Sequence, residues 1–255
     1  MARIFQAQSP DTYVIGRGHV LFRKHGTEAF ISLGDVDSFN LSKEVERAER
    51  YGKEAGIKTL ARSVPIQSSM SCSFTCYQFT NAVRAMAMLG NPDGKRNQSQ
   101  ATGETVTVTA AKAGDIIPLG HAQATNVSVT DAVTSTFTEG THYRVDSSAG
   151  YVEVVVLPGG SAGDLTITYD APEITDGFKT GFMSDIDLRG EIHIRETQDT
   201  GQKYLTKLHS VAISPDGDQE LIGDDEFMSI TLNGDVEADG TKPAGEEFGT
   251  QEIIG

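Results

Sequence analysis

Apolar and polar residues alternate with a period of two along much of this 255-residue chain. In the clearest run, residues 70–77, every second residue is apolar: Met70, Cys72, Phe74 and Cys76. Residues 105–109, 165–169 and 228–233 show the same alternation. Side chains of a strand point alternately to opposite faces, so this period predicts strands with one buried face. The sequence therefore predicts a mainly β fold.

The only two cysteines, Cys72 and Cys76, lie four positions apart in one predicted strand. At roughly 3.3 Å per residue, their Cα atoms are about 13 Å apart. A disulfide needs a Cα separation below about 7 Å, so the two thiols cannot pair within this strand. We expect two small buried side chains, because the neighbouring sequence supplies no further ligands at zinc spacing.

Residues 79–89 form the one segment with convincing helical spacing. Its large apolar residues follow one another at offsets of four, three and three, which is one helix face: Phe79, Val83, Met86 and Leu89. Thr80 or Asn81 can cap the start of this helix, and Gly90 followed by Pro92 can end it. We expect the helix to lie across a sheet and to bury that face.

The polar, turn-rich stretch at 91–103 is the strongest boundary signal in the chain. Beyond it, short alternating runs are separated by glycines, and Pro172 follows the last of them. Residues 102–172 are therefore predicted to form a small antiparallel β module. The module is inserted into a main β domain made of residues 1–101 and 173–255. The acidic, glycine-rich sequence from Asp235 onward predicts a tail.

The sequence carries no motif of a catalytic or phosphate-binding site, such as Gly-x-Ser-x-Gly, a Walker loop or HExxH. The acidic run from Asp216 to Glu226 comes closest to a metal loop. An EF-hand needs Gly at its sixth position and Glu at its twelfth, where this run has Leu221 and Phe227. Only a loose calcium site stays open there. We predict no enzyme activity, no cofactor and no dedicated metal site.

The chain has 21 basic and 36 acidic residues, a formal net charge of −15. This excess argues against holding nucleic acid by phosphate neutralisation and against docking on anionic lipid. No run of about 18 apolar residues occurs, so no membrane-spanning segment is predicted. The N-terminal residues lack a basic region followed by an apolar one, so we expect synthesis in a cytoplasm.

Residues 42–63 are dense in both signs of charge and contain few large apolar residues. Gly52 and Gly56 interrupt any helix there, so the segment predicts a long exposed loop or an extended arm. Long loops without structure of their own are uncommon, and they are usually functional or disordered. Two interpretations stay open: a solvated mobile loop, and an arm that docks on a neighbouring subunit.

The order of these elements resembles that of the major tail proteins, the tail tube subunits, of long-tailed bacteriophages. Several segments carry the resemblance, in chain order: 15–22, 32–39, the charged segment 42–62, the strand 71–78, the helix 79–89, and 190–196, 203–213 and 224–234. Within the predicted insert, residues 139–146 with Gly150 resemble a β module common in phage structural proteins.

The resemblance implies a tail-tube-type β-sandwich or barrel with one packed α-helix, plus the inserted small antiparallel β module. Such subunits form six-fold rings that stack into a tube, through which DNA leaves the virion for the host. The implied partners are further copies of the chain, a tape measure protein, and tail terminator or baseplate proteins. DNA would pass through the lumen without specific binding. The implied location is the virion tail, after assembly in the host cytoplasm.

Under this resemblance, the charged segment reaches a neighbouring subunit, often in the next ring. Its charges would set the register of the contact by complementarity. The candidate interface residues are Glu44, Glu46, Arg47, Glu49, Arg50, Lys53 and Glu54. Six copies at −15 each give a ring a charge of −90, and a lumen of that sign would repel DNA phosphates. The charge can instead lie on the outer wall.

Three alternatives remain. The first is another virion structural protein, such as a capsid decoration protein or a tail terminator. The second is a carbohydrate-binding adhesion module, although the sequence has no Trp and only 7% aromatic residues to present to a sugar. The third is a hydrolase with scattered acids, which would need titratable side chains that converge in a pocket.

Overall fold

The computed structural model describes residues 15–53, 56–131, 137–158, 163–199, 201–223 and 226–254. Its elements are β1 (Gly18–Lys24), β2 (Ile31–Ser32), β3 (Val36–Gly52), β4 (Thr59–Cys76), α1 (Asn81–Ala87), β5 (Lys95–Gln98), β6 (Ala101–Ala111), β7 (Ile116–Pro118), β8 (Thr125–Asp131), β9 (Tyr143–Asp146), β10 (Tyr151–Val154), β11 (Gly163–Ala171), β12 (Ile174–Phe178), β13 (Leu188–Glu196), β14 (Tyr204–Pro215), β15 (Ile230–Val236) and β16 (Gly249–Ile253). The prediction of a mainly β chain with one helix is confirmed for these residues.

The chain divides into two compact units, one formed by Met1–Gly94 with Thr180–Gly255 and the other by Lys95–Lys179. The sequence predicts the second unit at 102–172, seven residues shorter at each end. The difference arises because β5 and β12, which flank the predicted module, pair with each other. Lys-Arg-Asn-Gln in β5 has no apolar alternation, so the sequence gives no strand signal there.

An eight-stranded antiparallel sheet forms the first unit, with the strand order β2-β1-β13-β14-β15-β4-β3. The eighth strand, β16, pairs with residues 204–208 of β14, while β15 pairs with residues 211–215 of the same strand. The hydrogen-bonded path ends at β3. Within the described ranges, β3 therefore has β4 as its only neighbouring strand.

The register of β15 defines two opposite ends of this sheet. At one end Ile230 lies opposite Cys76, and at the other end Val236 lies opposite Met70. Past Met70, β3 and β4 continue together without β15, so we call this the hairpin end. Residues 216–229 join β14 to β15 at the Ile230 end, which we call the loop end.

The core of the first unit lies between one face of the sheet and α1, which packs against β14 and β15. Phe22, Phe74 and Met86 are among its fully buried side chains. The rings of Phe39 and Phe74 stack across β3 and β4 with centroids 5.3 Å apart. Cys72 and Cys76 are buried free thiols in this core, which confirms the prediction made for them.

The helix is shorter than the sequence predicts. Thr80 is its N-cap, and the Thr80 Oγ1 atom accepts a hydrogen bond of 3.2 Å from the Val83 N–H. The helix ends at Ala87, and Leu89 has a φ of +50°, which is left-handed backbone. Gly90 packs closely against Thr180, because a Cβ atom at position 90 would lie 2.2 Å from the Thr180 Oγ1 atom.

The C-terminal tail predicted from Asp235 onward is wrong in two respects. β15 includes Asp235 and ends at Val236, and residues 249–253 form β16 on the sheet. Lys207 of β14 donates hydrogen bonds of 2.9 and 3.0 Å to the Glu252 carboxylate of β16. The strand escapes detection because Gly-Thr-Gln-Glu-Ile contains a single large apolar residue.

The second unit contains two three-stranded sheets, β7-β10-β9 and β6-β11-β8, and the two-stranded β5-β12. Its core is separate from that of the first unit and includes Tyr143, Ile167 and Tyr169. The buried Gln98 side chain bonds both to Ala122 and to the Pro172 carbonyl. This amide therefore ties the start of the unit to its end.

The cysteines give a test of the core. Burial raises the pKa of Cys72 to about 12 and that of Cys76 to about 11, with smaller contributions from Asp235 and Asp35. Near pH 8 neither thiol forms appreciable thiolate, which is the reactive species. We expect the folded chain to resist a chromogenic thiol reagent, whereas the unfolded chain reacts at both thiols. Rapid reaction of the folded chain would contradict their burial.

Candidate assembly interface

The charged segment of the sequence is a long antiparallel hairpin that leaves the sheet. Its ladder runs from Lys43 opposite Met70 to Gly52 opposite Thr59. We call residues 43–53 and 56–70 the arm; residues 54 and 55 lie outside the described residues. At roughly 3.3 Å per residue, the arm extends about 30 Å from the sheet. An irregular loop is therefore excluded for 43–52 and 59–63, where the structure has paired strands.

Large apolar side chains of the arm are exposed. The exposed fractions are 50% for Val45, 49% for Tyr51, 52% for Leu60 and 61% for Ile66. Tyr51 and Leu60 lie directly opposite each other on β3 and β4. A two-stranded hairpin is only marginally stable alone in water. Apolar side chains this exposed, on a ribbon that no other described strand extends, are typical of a surface that another protein covers.

The predicted interface residues lie along β3 and at its end. Glu44, Glu46, Arg47, Glu49 and Arg50 are in β3, Lys53 follows it, and Glu54 lies outside the described residues. The residues opposite the five in β3 are Ser69, Gln67, Pro65, Ser63 and Arg62, and none of these carries a negative charge.

None of the predicted residues in the described ranges forms an ion pair within the chain. Glu49 instead accepts a hydrogen bond of 2.7 Å from the Tyr51 hydroxyl, which raises the pKa of Tyr51. The charges of the arm are therefore available to a partner.

Backbone edges of the arm are also free. Among the described residues, no strand pairs with the outer side of β3, and none pairs with the other side of β4 between Thr59 and Ser69. Unpaired N–H and C=O groups along such an edge are a template for another strand. Pro65 removes one donor from this edge of β4, which is a common way to restrain unwanted pairing.

Sequence reasoning missed the second strand of the arm. It contributes Lys58, Leu60, Arg62, Val64 and Ile66, all on or just before β4. Two register shifts leave Ile66 and Ala61 of β4 without an opposite residue on β3, so the pairing of the two strands is irregular there. The signal that was present is the run of apolar residues at even positions from 60 to 66, interrupted only by Arg62.

Outside the arm, the described residues show few features of a catalytic or metal-binding site. Among the described residues, no three His, Cys, Asp or Glu side chains are grouped so that they could hold a metal ion. Asp224 and Asp225 of the acidic run lie outside those residues. A cleft of about 610 Å³ lies at residues 215–231 and is lined largely by acidic and small polar residues. No helix in the described ranges has the length and hydropathy that a membrane span requires.

A cluster of polar side chains in the first unit joins β1 to β13. Glu191 accepts hydrogen bonds from Arg23 and, at 2.7 Å, from His193. Phe30 covers both of these partners, with Arg23 stacked over its ring and the His193 ring 4.4 Å away. Partial burial alone would raise the pKa of Glu191, but the bonds to His193 and Arg23 outweigh it and lower that pKa. The cluster is a structural clamp between two strands.

Comparison with known proteins identifies a family. A family model described as Protein of unknown function UCP028589 matches residues 13–250, nearly the whole chain. A search of curated proteins finds no match. The family description names neither an activity nor a partner.

The clamp predicts a pH-dependent contribution to stability. Because the pKa of Glu191 is lowered in the folded chain, its stabilisation is present above the unfolded pKa and is lost as pH falls through the folded pKa. Glu191→Gln should therefore lower the free energy of unfolding near pH 7 by about 1–3 kcal/mol. The difference from the parent chain should narrow as the solution is acidified.

Thermal unfolding followed by circular dichroism measures this difference. The matched control is Glu28→Gln, which removes an exposed carboxylate without a described partner. If Glu191→Gln lowers stability relative to the parent chain by the same amount at neutral and at acid pH, the role given to the Glu191 carboxylate is contradicted.

Proposed function

The chain belongs to the family described as Protein of unknown function UCP028589, and we propose that it is a tail tube subunit of a long-tailed bacteriophage. In this role it is a structural virion protein without enzyme activity. Copies assemble into stacked rings, six to a ring, and the resulting tube carries DNA to the host.

The observation that carries the proposal is the arm. It projects about 30 Å beyond the core of its own unit, exposes large apolar side chains, and bears charges that have no ion-pair partner in the described chain. Exposure of apolar side chains to water is unfavourable, whereas contact with another subunit removes their apolar surface from solvent. These properties suit a subunit whose final surroundings are further copies of itself.

The two outer edges of the sheet, which no other strand of the described residues covers, support ring formation. β3 forms one end of the strand order, and β2, with only two residues, covers a small part of β1 at the other end. An open sheet with two accessible edges can continue into the sheet of a neighbouring copy. When the rotation between copies closes, a ring results and the exposed edges disappear.

Net charge supports the role proposed for DNA. At −15 per chain, an assembled ring carries a large negative excess. A protein of this charge has little electrostatic affinity for phosphates, so DNA can pass without being held. The location follows from the same proposal: the virion tail, with a tape measure protein and terminator or baseplate proteins as further partners.

Negative-stain electron microscopy of the purified chain at rising concentration tests the proposal. We expect rings and tubes to form, with a matching rise in mass by light scattering. Chains that stay monomeric at all concentrations would contradict self-assembly and favour the adhesion alternative.

A paired variant separates the arm from the rest of the surface. Tyr51→Ser with Leu60→Ser should abolish polymers and leave the thermal unfolding temperature nearly unchanged, because both side chains are about half exposed. Tyr151→Ser with Ile116→Ser is the control, since it removes comparable exposed side chains from the second unit. Equal loss of polymers in both variants would contradict a specific role of the arm.

A further inference from the structure

The loop end of the first unit is rich in negative charge. Between Leu208 and Thr241 the sequence contains no Lys or Arg. The described residues of this end, 216–223 and 226–229, which we call the acidic loop, contain four acids: Asp216, Asp218, Glu220 and Glu226. None of the four forms an ion pair in the described chain.

The acidic loop also exposes large apolar side chains. The exposed fractions are 68% for Leu221, 93% for Ile222 and 96% for Phe227. Phe227 also lines the cleft of about 610 Å³ beside the loop, together with Asp218 and Glu220. Exposed aliphatic and aromatic groups among unpaired carboxylates are typical of a surface that binds a partially apolar, basic partner.

The outer part of the arm has that complementary chemistry. Residues 47–62 contain five basic and two acidic residues, a net charge of +3 within a chain of −15. The five basic residues are Arg47, Arg50, Lys53, Lys58 and Arg62. They lie beside the exposed Tyr51 and Leu60, and none is in an ion pair of the described chain. Charge and apolar surface therefore match across the two regions.

The arm cannot reach the acidic loop of its own chain. The arm leaves the sheet at the hairpin end, and the acidic loop lies at the loop end, with β15 between them. The seven residues of β15 span about 20 Å at 3.3 Å per residue, and the arm extends away from them. Contact between these two regions must therefore involve two copies of the chain.

We infer that the acidic loop of one copy is the receptor for the arm of the next copy, in a head-to-tail contact. The contact pairs different surfaces of the two copies, so it is heterologous and generates an open stack. This inference builds on the proposed tube function: it names the surface that receives the arm. The interleaved charges set the register, and the apolar side chains supply the buried area.

Charge reversal on each side tests the contact. The arm variant is Arg50→Glu with Arg62→Glu; these residues face each other across the ladder, so the like-charge pair within the arm is kept. The loop variant is Asp218→Lys with Glu220→Lys, and all four positions are exposed. We expect each variant to raise the concentration needed for polymers by about tenfold or more. Combining all four substitutions in one chain should restore assembly.

A charge-matched control isolates the acidic loop. Glu173→Lys with Asp176→Lys changes the net charge as the loop variant does, at exposed positions of the second unit. If the loop variant assembles like this control while the parent chain forms polymers, the inference is wrong and the proposed function stands. If the parent chain forms no polymers, the proposed function fails first.

The same variants distinguish a protein partner from a nucleic acid. A fluorescent DNA duplex is added to the parent chain and to the arm variant at low salt. We expect no binding to either. Binding by the parent chain that the arm variant loses would assign the basic residues to DNA and overturn the inference.

Discussion

Within the part of the chain that the structure describes, each strand of the arm has a hydrogen-bonding partner on one side only, and the proposed assembly depends on this constraint. A ribbon of two strands cannot bury its side chains on itself, because both of its faces are open. Its apolar residues and its outer backbone edges therefore remain exposed in the single chain. Contact with a second protein surface can cover both the apolar side chains and the outer backbone edges. A solvated loop of small polar residues would expose neither.

The base of the arm is held by the core of the first unit. Phe39 stacks on Phe74 at the point where β3 joins the sheet, and β15 fixes β4 as far as Met70. An arm that is already paired and anchored loses less conformational entropy on binding than a flexible loop. The second unit has a core of its own, which includes Tyr169.

The sequence predicts the strands that alternate strictly and misses those that do not. Residues 70–76 are recognised because Cys72 and Phe74 mark one face, but the same strand starts at Thr59, beyond Pro65 and two register shifts. β16 is missed because cross-strand hydrogen bonds to β14, and not a hydrophobic face, hold it in place. The charges of the arm are visible in the sequence. That these charges form no ion pair among the described residues depends on strand register, which only the structure supplies.

Amide hydrogen exchange tests the central claim most directly, because it reports the protection of the backbone at each segment. The exchange of residues 43–70 is compared between dilute subunits and assembled material. We expect exchange along the arm to slow strongly on assembly, when its open faces and outer edges are covered. Equal and rapid exchange of these amides in both states would contradict this expectation, since the arm would then remain in solvent within the polymer.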